Sequence, residues 1–71
     1  MNEPSPREWL VWSYEHQGWW KPWRWGYTRE VAEAGRYTLA EATEICEKAN
    51  RYASIVQEKM VRESEAAEFK P

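Results

Sequence analysis

The sequence is poor in cysteine, histidine and glycine and has no aspartate, and these shortages exclude most site-based chemistries. Its 71 residues include one cysteine, one histidine and three glycines, and all twelve acidic residues are glutamates. The single Cys46 excludes an internal disulfide and a multi-cysteine zinc site. No Gly-rich phosphate loop or Gly-x-Ser-x-Gly elbow occurs. We therefore expect a non-enzymatic protein without a metal or a cofactor.

Long apolar runs are missing as well. No stretch approaches the roughly 18–20 apolar residues of a membrane span, and residues 1–7 lack the apolar core of a signal peptide. The net charge of −2 argues against general binding of polyanions. Residues 16–29 nevertheless carry four basic side chains, the histidine included, and no acid. We expect a soluble cytoplasmic protein with no membrane partner and one basic segment.

Aromatic residues are abundant, with six tryptophans, four tyrosines and one phenylalanine. Residues 9–15 alternate between two faces and are rich in aromatic and β-branched side chains, which is typical of a strand. One face carries Leu10, Trp12 and Tyr14, and the other carries Trp9, Val11 and Ser13. Gln17-Gly18 supplies a turn and Trp19-Trp20 resume an extended pattern, so we predict a β-hairpin whose irregular second arm reaches about Tyr27.

Two helix-capping patterns follow the hairpin. Thr28 precedes a short helical segment at residues 29–34, and Gly35 stands where a left-handed residue would end it. Thr38 and Glu41 fit a capping box, which predicts that the main helix begins there. Its apolar stripe, which should face the sheet, consists of Ala42, Ile45, Cys46 and Ala49.

Residues 51–62 allow two interpretations, because the apolar stripe could continue through them or the helix could end near Asn50. We favour the second, with a third strand at about residues 59–62. The predicted fold is α+β: a two- or three-stranded antiparallel sheet packed on one main helix, with one short helical turn before it. Residues 1–7 would be a disordered lead-in, 8–62 the single domain and 63–71 an acidic flexible tail.

Residues 19–27 are the most informative stretch, since five aromatic residues and two cations occupy nine positions. Neighbouring side chains of a strand point to opposite faces, so Trp19 and Trp20 cannot both enter a core on one side. One helix covers one face of a sheet and leaves the other to solvent or to a partner. Trp9 and Val11 would share that open face.

Exposed tryptophan beside arginine is typical of interaction hot spots, so these residues are candidates for partner binding. The candidate set is Trp9, Trp19, Trp20, Lys21, Trp23, Arg24, Trp25, Tyr27 and Arg29. A protein partner is favoured. The alternatives are single-stranded nucleic acid, with bases stacked on the rings and cations on phosphates, and a symmetric homodimer that closes the open face. Each individual tryptophan could also belong to the core.

The remaining polar residues offer little for catalysis. His16 lies in a Glu-His-Gln-Gly turn, which favours a solvent-facing position. Cys46 belongs to the apolar stripe of the main helix, where a buried and unreactive thiol is expected. Glu41, Glu44 and Glu47 recur along one side of that helix, and without suitably spaced histidines a solvated face is the ordinary interpretation.

Several motifs together resemble a group of short, mostly uncharacterised proteins of bacteriophages and prophages. The motifs are Val11-Trp12-Ser13-Tyr14-Glu15-His16, Trp19-Trp20-Lys21-Pro22, Gly26-Tyr27-Thr28, Ala34-Gly35-Arg36-Tyr37 and a helix that runs from Glu41-Ala42 to Ala49-Asn50. The resemblance implies a one-domain phage accessory protein, and such proteins commonly bind and obstruct host machinery, including restriction and CRISPR complexes. By that analogy we expect an inhibitor of a host defence complex. The additional Trp23 and Trp25 are unusual in this group.

Overall fold

The structure, a computed structural model, describes residues 6–52 and 54–71. Its elements are β1 (Trp9–Ser13), β2 (Gly18–Trp20), β3 (Tyr27–Thr28), α1 (Leu39–Asn50), β4 (Glu58–Arg62) and α2 (Glu63–Ala66), with a tight turn at Pro22–Arg24 and a 3-10 turn at Val31–Glu33. The strands form one antiparallel sheet in the order β3-β2-β1-β4. The predicted α+β class with one main helix on a small antiparallel sheet is confirmed.

The third predicted strand is present as β4, and it pairs along the whole of β1, from Trp9 opposite Arg62 to Ser13 opposite Glu58. Asn50, the last residue of α1, contacts the start of β4. The side-chain Oδ1 of Asn50 accepts hydrogen bonds from the amides of Gln57 (2.6 Å) and Glu58 (3.0 Å), and its Nδ2 donates to the Glu58 carbonyl (3.0 Å). One side chain thus links the last residue of α1 to the start of β4.

A fourth strand was not predicted as such. The irregular second arm of the hairpin folds back as β3, which places Trp19 opposite Thr28 and Trp20 opposite Tyr27. The predicted short helix at residues 29–34 is a single 3-10 turn, Val31–Glu33, whose N-cap is Glu30 instead of Thr28. The hydroxyl of Thr28 accepts from the Glu30 amide at 3.1 Å, as in a serine/threonine turn.

The capping box of α1 is present as predicted. The Thr38 hydroxyl accepts from the Glu41 amide at 3.1 Å, and the Glu41 carboxylate accepts from the Thr38 amide at 2.9 Å. The helix buries Ala42 and Ile45 against Val11 of β1. The expectation that Trp9 and Val11 lie on an open face is therefore wrong, because this is the face that α1 covers.

The opposite face of the sheet is covered by the C-terminal segment. Leu10, Trp12 and Trp19 pack there with Ala66 of α2, and the Phe69 ring lies 5.8 Å from Trp12 and 5.5 Å from Trp19 between ring centroids. The segment at 63–71, expected to be a flexible acidic tail, thus contributes a helical turn and an aromatic anchor. The open face that motivated a homodimer is not found among the described residues, and the homodimer itself stays a prediction.

Gly35 has a different role from the predicted one. Gly26 has a left-handed backbone (φ 90°), whereas Gly35 does not. A Cβ atom on Gly35 would lie 2.8 Å from the Tyr37 ring and 2.9 Å from the Lys21 carbonyl oxygen. The glycine is needed here because the Tyr37 ring passes directly against the backbone.

Candidate binding surface

The connection between β2 and β3 is a short loop closed by its own backbone. We call residues 21–26 the Trp loop. The amide of Lys21 donates to the carbonyl of Gly26 at 2.9 Å, which joins the two ends. Inside the loop, the Arg24 amide donates to Lys21 (3.2 Å) and the Trp25 amide to Pro22 (3.2 Å). The loop therefore has a defined backbone path.

Two residues of the Trp loop have a left-handed backbone that side chains rarely adopt. The φ angles are 61° at Trp23 and 60° at Arg24. For residues other than glycine this conformation costs about 1–2 kcal/mol each. The surrounding contacts must offset that cost, and the hydroxyl of Tyr37 supplies two of them.

Tyr37 connects the loop to the rest of the domain. Its hydroxyl donates to the Lys21 carbonyl and accepts from the Arg24 amide at 3.1 Å, and the residue is 5 % exposed. Burial raises the pKa of Tyr37 above its usual 10.0, although the hydrogen bond from Arg24 acts in the opposite direction. The hydroxyl is thus neutral at physiological pH and keeps the proton that it donates.

The consequence of this geometry is that two indole rings project into solvent. Trp23 is 83 % exposed and Trp25 is 79 % exposed. The neighbouring rings are better packed: Trp20 lies edge-on to Tyr27 with 5.6 Å between centroids, and Tyr27 stacks on His16 at 4.0 Å. Trp23 and Trp25 therefore differ from every other tryptophan of the chain, because those are half-buried or buried.

One of the two cations of the Trp loop, Arg24, is held by the main helix. The guanidinium Nη2 of Arg24 donates to the Glu44 carboxylate at 3.0 Å, and Lys48 lies 3.6 Å from the same carboxylate. The hydrogen bond from Arg24 is the main reason that the pKa of Glu44 is lowered, with the charges of Lys48 and Arg24 also contributing. Lys21 is exposed. The side chains presented together are thus Lys21, Trp23, Arg24 and Trp25.

The other predicted binding residues are distributed differently. Trp19 is 3 % exposed and belongs to the core, so it has no free surface for a partner. Trp9 is half-buried, with the Arg62 guanidinium 4.6 Å above its ring. Trp20 is half-buried and its Nε1 lies 3.4 Å from a carboxylate oxygen of the buried Glu58. Arg29 is exposed beside the C-terminal segment, in a cleft apart from the Trp loop.

Two arginines outside the predicted binding set lie against the Trp loop. Arg7, in the predicted lead-in, donates to Glu41 at 2.7 Å, and Arg36 donates to Glu63 at 3.0 Å. Both line a cleft whose wall includes Trp23. The only sequence signal for the position of Arg36 was its neighbour Tyr37. The contact between residues 7 and 41 has no local sequence signature.

His16 has the solvent-facing position that was predicted, whereas Cys46 is less buried than expected. His16 is exposed. Cys46 is half-buried, and burial, together with the negative charge of Glu58, raises the pKa of its thiol to about 11. A thiol with that pKa is almost fully protonated at neutral pH and is a poor nucleophile.

Within residues 6–52 and 54–71, no group of three or more histidine, cysteine or acidic side chains is placed to hold a metal ion. In the same ranges, no helix has the length and apolar character needed to cross a membrane. Comparison of the chain with protein-family models, with curated proteins and with solved structures gave no match.

Proposed function

We propose that this protein is a non-enzymatic binding module that captures a partner protein through the Trp loop. The observation that carries the proposal is the exposure of Trp23 and Trp25 on a backbone held in the left-handed region. A tryptophan buries roughly 150–250 Å² when it is covered, which corresponds to about 4–6 kcal/mol of gross hydrophobic gain per ring. In the free protein this gain is not realised.

The rigidity of the loop supports binding, because ordering a flexible segment at an interface costs free energy. Here three hydrogen bonds order the loop in advance: the Lys21 amide donates to Gly26, the Tyr37 hydroxyl donates to Lys21, and the same hydroxyl accepts from the Arg24 amide. The two indole rings then present a preformed surface. Tryptophan and arginine side by side are also the residue types most enriched among binding hot spots.

The resemblance to phage and prophage proteins extends the proposal to the partner. The partner is then a protein of the host or the phage, and its capture obstructs a host defence complex of the CRISPR or restriction type. The slightly negative net charge and the glutamates along α1 favour a protein over a nucleic acid.

The test is affinity capture with the tagged full chain from phage-infected or prophage-bearing cells, with and without nuclease. Three baits are compared: the native chain, a Trp23→Ala/Trp25→Ala variant, and a Tyr52→Ala control. Tyr52 is 93 % exposed and lies outside the Trp loop, so the control also removes an exposed ring. We expect a nuclease-resistant partner that the native chain and the control retain and that the double variant loses. Equal capture by all three baits would refute the proposal.

Single-strand nucleic-acid binding is a second candidate, favoured by the exposed rings of Trp23 and Trp25 beside the cation of Lys21. Stacking of bases on aromatic rings contributes about 1–3 kcal/mol per base. Fluorescence anisotropy with a labelled oligonucleotide at low and at physiological salt separates the two candidates. Binding that requires both tryptophans and weakens steeply with salt supports the nucleic acid, and absence of binding at low salt removes it.

A further inference from the structure

A cleft of about 420 Å³ lies directly beside Trp23. Three cations, one acid and two aromatic rings line it: Arg7, Arg24, Arg36, Glu41, Trp23 and Tyr37. Its charged lining therefore carries three positive groups against one negative group. Outside the lining, Glu44 pairs with Arg24 and Glu63 pairs with Arg36, so each of the three cations has one carboxylate partner.

Ion pairs hold the three guanidinium groups in place, and each group still has N–H donors without an acceptor among the described residues. Each has one carboxylate partner, at 2.7 Å for Arg7, 3.0 Å for Arg24 and 3.0 Å for Arg36. Arg36 also donates to two backbone carbonyls. A guanidinium has five N–H donors, so each group retains donors for a further acceptor. The side chains are 57 %, 40 % and 28 % exposed in the same order, so a ligand can reach them.

The carboxylates that hold these arginines also restrict what can bind. Glu41 lies in the cleft wall, and the hydrogen bond from the Thr38 amide, with help from Arg7, lowers its pKa, so it is ionised at neutral pH. Glu44 forms an ion pair with Arg24, and Glu63 forms one with Arg36. A long polyphosphate backbone would meet all three carboxylates as well as the cations, whereas a single carboxylate needs only the remaining N–H donors of one guanidinium group.

We propose that the cleft binds an acidic segment of the partner protein, with a carboxylate on the arginines and an adjacent apolar side chain against Trp23. Arginine pairs with carboxylates through two parallel hydrogen bonds, which gives both strength and direction. The inference rests on the proposed function, since Trp23 belongs to both surfaces. It adds the chemistry of the partner: acidic and apolar residues next to each other.

The test is a selection of random dodecapeptides displayed on phage against the immobilised full chain. We expect enrichment of sequences in which Asp or Glu adjoins an aromatic or aliphatic residue. A synthetic peptide of that type should bind about tenfold or more weakly to an Arg7→Gln/Arg24→Gln variant, because charge-assisted hydrogen bonds are lost. Arg51→Gln/Lys59→Gln, which removes the same charge at exposed positions away from the cleft, should bind like the native chain.

A second peptide separates local contact from general charge. Replacing its acidic residues by their amides should weaken binding to the native chain but not to the Arg7→Gln/Arg24→Gln variant. Enrichment of peptides without acids, no enrichment, or equal weakening by both charge variants would each overturn the inference. If capture in cells still requires Trp23 and Trp25, the proposed function stands without it. If that requirement also fails, both fall.

Discussion

Tyr37→Phe removes one oxygen atom and tests whether the Trp loop is held by the rest of the domain. The hydroxyl accepts from the Arg24 amide and donates to the Lys21 carbonyl, in a residue that is 5 % exposed. Each hydrogen bond contributes about 1 kcal/mol net, and the Arg24 amide and the Lys21 carbonyl still bond to each other at 3.2 Å when the hydroxyl is gone. We expect the free energy of unfolding to fall by about 1–2 kcal/mol.

The loop should also loosen, since the left-handed backbone at Trp23 and Arg24 costs about 1–2 kcal/mol per residue and two of the contacts that offset it are gone. Urea unfolding measures the first effect as a lower midpoint with an unchanged slope. Hydrogen exchange of the Arg24 amide measures the second, as a loss of protection.

The matched control is Tyr52→Phe, because Tyr52 is 93 % exposed and losing its hydroxyl should change stability by less than about 0.5 kcal/mol. If Tyr37→Phe behaved like this control in both measurements, the loop would be held by its own backbone hydrogen bonds and the reasoning about Tyr37 would be refuted.

Two further predictions concern the C-terminal segment and the thiol. Phe69→Ala should lower the free energy of unfolding by about 2–3 kcal/mol, since the ring packs on Trp12 and Trp19, whereas Lys70→Ala at an exposed neighbouring position should have little effect in the same urea titration. The thiol of Cys46 has a folded pKa of about 11 against 9.0 for an ordinary thiol, so the folded state holds its proton more tightly. This contribution is complete below pH 9 and is lost as the pH rises towards 11, so Cys46→Ala should show a shallower decline in stability across that window; an unchanged slope would contradict the shift.

Local patterns predicted the parts of the fold that depend on near neighbours in the chain. The Thr38–Glu41 capping box and the alternation of residues 9–13 need no distant partner, and both are present. The end of α1 near Asn50 and the strand that follows were also predicted, whereas the hydrogen bonds from the amides of residues 57 and 58 to the Asn50 side chain are visible only in the structure.

Three features of the fold depend on long-range contacts and could not be predicted from local patterns. The alternation along β1 assigns its side chains to two faces but does not show which face the helix covers. In the structure, α1 covers the face that carries Val11. In the C-terminal segment, Ala66 and Phe69 are three residues apart, which is a helical spacing. Two apolar residues in a short segment rich in glutamate are too weak a pattern to predict packing on the sheet. Glycine or asparagine usually signals a left-handed conformation, but position 23 is a tryptophan. Here Tyr37, fourteen positions away, stabilises the conformation, and no local pattern reveals that contact.

An open face of the sheet does not account for the large number of tryptophans. Both faces of the sheet are covered, one by α1 and one by the C-terminal segment, and together they take Trp9, Trp12, Trp19 and Trp20 as buried or half-buried residues. Trp23 and Trp25 lie outside both layers because the loop that carries them leaves the sheet between β2 and β3. Removing them should therefore leave the core intact, and this is the reason that a loss of partner capture in the Trp23→Ala/Trp25→Ala variant would report on recognition instead of folding.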